Sequence, residues 1–119
     1  MVSIASAELG RDDTPDRALL AEALSVPVEQ RDGRDAYPGV VPKAAALLLA
    51  IVRLRPYERA NARVALLATT VFLNRNGLDL QAGDDEVVAL VAVAAAGELS
   101  VLQVASGLER HMVRLTEPA

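Results

Sequence analysis

Pro42-Lys43-Ala44-Ala45-Ala46-Leu47-Leu48-Leu49-Ala50-Ile51-Val52-Arg53-Leu54-Arg55-Pro56 decides how this chain folds. Every position from Ala44 to Val52 is apolar, so no helical face is left for water, and a protein in water tolerates such a helix only where other helices surround it. The stretch therefore predicts a central helix, halted at Arg55 because the following proline drives that residue out of the right-handed α region. Two further apolar runs, 64–73 and 87–96, have similar length. All three fall well short of the roughly 20 residues that span a membrane. They are read as buried core helices.

On the amino-terminal side, Thr14 as cap with Pro15 at the first helical position predicts a helix over 16–24. Its packing positions are Ala18, Leu19, Ala23 and Leu24, and Pro27 ends it. Residues 28–39 are polar and carry Gly33, Pro38 and Gly39, which predicts an irregular loop or short hairpin, the place for a surface flap. On the carboxyl side a helix over about 60–76 stops at Asn76-Gly77. Asp84, Asp85 and Glu86 open another, which Gly97 closes. Ser100-Val101-Leu102-Gln103 has capping-box spacing, and Val101, Val104, Ala105, Leu108, Met112 and Leu115 mark an amphipathic last helix. The expectation is an all-α fold, a compact bundle of about five helices without strands. Residues 1–12, ending in charge, are expected to be a flexible tail and 13–119 one helical domain.

Composition narrows the function. The 119 residues are 52% hydrophobic but only 3% aromatic, which favours close Ala, Val and Leu helix packing over a sandwich or barrel. With no cysteine and one histidine, thiolate chemistry and Cys or His metal clusters are excluded. The net charge of −4 disfavours a phosphate backbone as partner. Residues 1–8 lack a basic start and a sustained apolar stretch, so no signal peptide is expected and the expected address is cytoplasmic.

The charge is uneven. Residues 43–78 hold Lys43, Arg53, Arg55, Arg59, Arg63 and Arg75 against the single acid Glu58, a local excess of +5 in a chain otherwise at −9. Arginines gathered on a loop that feeds a helix N-terminus are one way to build an anion site. Arginines that only snorkel or pair with nearby acids would give the same count. Asn61 likewise reads either as a ligand or as a helix cap. Arg75 reads as a C-terminal helix cation, His111 as an exposed surface residue, and Tyr37 as packing for the loop.

Arg55-Pro56-Tyr57-Glu58-Arg59-Ala60-Asn61-Ala62-Arg63 resembles the signature of the Fic/Doc family, His-Pro-Phe-x-(Asp/Glu)-(Gly/Ala)-Asn-(Gly/Lys)-Arg. Residues 16–24, 43–48, 71–77 and 92–99 look like the Doc branch, in order and with similar spacing, while the family's first helix is absent or reduced to the tail. The resemblance implies a helical bundle with an anion-binding loop before a central helix. It also implies transfer of a phosphoryl or nucleotidyl group from ATP with Mg²⁺ to a protein hydroxyl, an antitoxin as partner, and a translation factor as target. Carried over by position, Arg55, Arg59, Ala60, Asn61, Ala62 and Arg63 form the anion or nucleotide site. The chemistry positions differ. Arg55 replaces the motif histidine and stays protonated, so it cannot serve as general base. Arg59 replaces the metal-binding acid, and neighbouring Glu58 would point roughly 100° away on a helix. Two readings stay open: a toxin component with impaired transfer, and a non-catalytic interaction protein that keeps the fold to bind a partner.

Overall fold

The computed structural model of the chain describes residues 13–81 and 85–115. Five α-helices occur among them: α1 (Arg17–Ser25), α2 (Val40–Leu54), α3 (Asn61–Arg75), α4 (Asp85–Ala95) and α5 (Val101–Glu109). The fold is mostly helical, as expected. The apolar run places α2 at the centre, where it touches each of the other four helices. Eight of its fifteen residues are buried, and Leu48 and Ile51 are fully so.

The helix ends follow local chemistry. Arg55 closes α2 in the left-handed conformation (φ 53°, ψ 58°) while its N–H still donates to the Ile51 carbonyl at 3.0 Å. The expected exit from the right-handed region is thus met by the left-handed well rather than by extended backbone. At α5 the capping box forms in full: Gln103 N–H donates to Ser100 Oγ, and Ser100 N–H donates to Gln103 Oε1. Arg53 reaches from the end of α2 to the Leu99 carbonyl at 2.7 Å and so fixes the loop between α4 and α5. Gly107 on α5 lets α4 approach closely, since a Cβ there would lie 2.8 Å from the Leu90 methyl carbons.

Several expectations are corrected. Asp16, not Thr14, caps α1, its carboxylate accepting from the Ala18 and Leu19 amides at 3.0 and 3.1 Å. Of the expected packing positions Ala23 is buried and Leu19 half-buried, whereas Ala18 and Leu24 are exposed and Leu20 packs inward. The run 87–96 is buried on one face only, through Val87, Val91 and Ala94. The expected absence of strands does not hold, although a short hairpin, one of the two expectations for residues 28–39, is what forms there. The polar loop contains β1 (Gln30–Arg31) and β2 (Arg34–Asp35), an antiparallel hairpin. Asp32 and Gly33, both at positive φ, form its two-residue turn. The last helix stops at Glu109, and Met112 and Leu115 do not extend it. The chain turns instead into β4 (Met112–Arg114), which pairs antiparallel with β3 (Leu78–Leu80). A helix continued through Leu115 would lose this ladder, which the Gln81 and Leu115 amides extend at both ends. The expected tail 1–12 and the helix-opening Asp84 lie outside the described residues.

Lys43 ties the hairpin to the bundle. Its ammonium donates to Asp35 Oδ2 at 2.9 Å and to the Tyr37 carbonyl at 2.6 Å, and this hydrogen bond and charge hold the Asp35 carboxyl below its ordinary range. No helix among the described residues is long and apolar enough to cross a membrane.

Candidate functional site

The turn between α2 and α3, residues 55–60, leads the motif residues to one place. Pro56 and Tyr57 are buried and anchor it, whereas Arg55, Glu58 and Arg59 are exposed. Asn61, the first residue of α3, is only 4% exposed. Its side chain turns back into the turn: Tyr57 N–H donates to Asn61 Oδ1 at 2.8 Å, and Asn61 Nδ2 donates to the Tyr57 carbonyl at 2.7 Å. The cap position of α3 is therefore Ala60, which contributes no side-chain cap, and Asn61 is not the cap that its residue type suggested. Arg55, Arg59, Ala60, Asn61, Ala62 and Arg63 thus share one turn and the first turn of one helix.

Asp13 completes the turn, a role that no local pattern in the sequence marks. It is 7% exposed, and its carboxylate accepts three backbone hydrogen bonds, Oδ1 from Glu58 at 2.8 Å and Oδ2 from Arg59 at 3.1 Å and Ala60 at 2.9 Å. Next to it, the Asp16 amide donates to the Pro56 carbonyl at 2.7 Å, so residues 13–16 lie zipped along the turn. Desolvation pushes the Asp13 carboxyl up, but the three amide bonds and the Arg59 charge outweigh it and leave the group below its ordinary range. It stays ionised at neutral pH. A depressed carboxyl contributes stability that is present above its unfolded value and is lost as pH falls through the folded one, so the turn keeps this contribution at neutral pH and gives it up in acid.

The residues present do not fit magnesium. Arg59 is a cation at the exposed turn, both Asp13 oxygens are already committed to amides, and among the described residues no three acidic or histidine side chains gather into a metal-binding group. His111, expected to be exposed, is largely covered: its side chain is 14% accessible and Nε2 lies 3.3 Å from Glu86. The β3–β4 ladder draws it in, through its carbonyl bond from Gln81. It lies on the α4–α5 side, among residues that line a different groove from the motif turn.

Tyr57 stands where the motif has phenylalanine, and its hydroxyl is buried with no hydrogen-bond partner among the described residues. Desolvation, and after it the Asp13 charge, raise its pKa. An orphaned hydroxyl carries a desolvation penalty of about 1–3 kcal/mol. Tyr57→Phe is therefore expected to leave the fold intact and raise stability by about 1 kcal/mol in urea unfolding. A clear loss would show that the hydroxyl has a partner.

Over 70 residues the chain is 40% identical to a curated protein of Mycolicibacterium smegmatis, a match covering 59% of this chain and 54% of the other. That protein is named Toxin Doc. The chain thus spans about half the length of the curated relative it matches. No protein-family model matches it. The likeness to Toxin Doc supports a relationship to Doc-like toxins.

Proposed function

We propose that this chain is a Doc-like toxin component, paired with an antitoxin. Its scaffold is that of a nucleotide-dependent transferase acting on a protein hydroxyl, with transfer impaired by Arg55 and Arg59. The likeness to Toxin Doc is the observation that carries this reading. The turn adds support. Asn61, Ala62 and Arg63 begin α3 without a side-chain cap, so their amides and the exposed Arg63 guanidinium are where a phosphate group would be met. Arg55 supplies no proton acceptor, and a general base is worth about 10²–10⁴ in rate. The exposed Leu102, 74% accessible beside Leu90 and Leu99, favours a second reading in which partner binding is the whole function.

Restoring the chemistry separates the two. Arg55→His combined with Arg59→Asp is expected to raise labelled transfer from ATP to translation factors by at least about 10²-fold and to arrest growth when expressed. The parent chain is expected to bind ATP weakly and to lose that binding on Arg63→Ala. A folded double variant that neither transfers nor arrests growth, in a chain whose ATP binding ignores Arg63→Ala, leaves the interaction protein as the correct reading.

A further inference from the structure

We propose that Asp13 is a built-in competitor for anions at the motif turn, its carboxylate occupying the Glu58, Arg59 and Ala60 amides that an external phosphate or carboxylate would otherwise take. The inference deepens the reading of this turn as an anion site and rests on it. Two carboxylate oxygens meeting three converging N–H groups at 2.8 to 3.1 Å is the arrangement by which a backbone concavity binds an oxyanion. Here the anion belongs to the chain. It is nearly covered, and the Asp16–Pro56 bond holds the segment that carries it. A tethered group acts at an effective concentration of about millimolar or more, so a free anion that binds the amides no better than a carboxylate does is shut out. The Tyr57 hydroxyl, buried and without a hydrogen-bond partner among the described residues, lies in the field of the same carboxylate. The proposed phosphate site of the parent chain, at the start of α3, lies immediately after these three amides. Removal of Asp13 would enlarge the site backwards by three amides.

The experiment uses the full chain, its Asp13→Ala variant, and each of these with Arg63→Ala. Thermal unfolding is followed against formate and against inorganic phosphate, with chloride adjusted to keep ionic strength constant. Asp13→Ala is expected to melt below the parent and to regain the loss saturably with either anion, at concentrations at least about tenfold below any that affect the parent. An Asp13→Ala chain with parental helix content and no anion response beyond the parent's overturns the inference. Should Asp13→Ala not fold, Asp13→Asn replaces it. Phosphate must then shift the Glu58, Arg59 and Ala60 amide resonances in Asp13→Asn and not in the parent; equal shifts, or none, overturn the inference. The two readings fail differently. Equal phosphate binding by parent and Asp13→Ala, lost in both on Arg63→Ala, sinks the competitor and keeps the site. A response in Asp13→Ala that ignores Arg63→Ala keeps the competitor and sinks the site as assigned.

Discussion

Asn61→Ala is expected to lower the unfolding free energy by about 2–4 kcal/mol, because it strips partners from two buried main-chain groups at once. The side chain receives the Tyr57 amide and gives to the Tyr57 carbonyl, both under 3 Å, and it is 4% exposed. Water cannot refill the gap without opening the turn. Each orphaned group costs about 1–3 kcal/mol, and both belong to one residue. Urea unfolding reads the effect as a lower midpoint at unchanged slope. The result bears on function, since a toxicity or binding loss in Asn61→Ala reports on the fold before it reports on any ligand contact. An unchanged midpoint would mean that the turn holds without this asparagine and that its side chain is available for a ligand.

Leu48→Ala is expected to be more damaging, by about 3–5 kcal/mol, or about 10–20 °C in melting temperature for a domain of this size. Leu48 is fully buried in the one helix that all the others touch. With so few aromatics, the core is built from short side chains on rigid helices, which close poorly over a hole. Thermal unfolding followed by circular dichroism measures it, and Leu48→Met serves as the volume-conserving control, expected to cost less than about 1.5 kcal/mol. A Leu48→Ala midpoint within a few degrees of the parent would contradict the central placement of α2.

The sequence carried the helices well because their signals are local. The apolar run of α2, the proline at 56, Asn76-Gly77 and the Ser100–Gln103 box each act within a few residues, and each appears where it was expected. Asp32-Gly33 is an equally local sign of the hairpin turn, and the hairpin alternative for this loop is the one that forms. One choice between neighbouring candidates went wrong: Asp16 and Thr14 are both good caps by residue type, and the Asp16 carboxylate is the one that meets the Ala18 and Leu19 amides. The β3–β4 ladder left no pattern to read, since three-residue strands are too short for an alternation and the partners lie far apart in the chain. At the candidate site, the motif located the turn but not its wiring. Asp13 meets amides 45 to 47 positions away, and nothing in a string of residues pairs an aspartate with backbone N–H groups at that range. Asn61 resembled a cap or a ligand because both roles favour the same side chain.

That long reach sets when the turn acquires its shape. A segment closed by contacts some 45 residues apart must await the collapse of α2 between its two halves, because the entropy of closing so wide a loop is recovered only after local helices have formed. The Tyr57–Asn61 bonds close within four residues, whereas the Asp13 bonds close a loop of some 45, so amide exchange at Glu58, Arg59 and Ala60 is expected to report on the docking of the amino-terminal segment rather than on the turn's own closure.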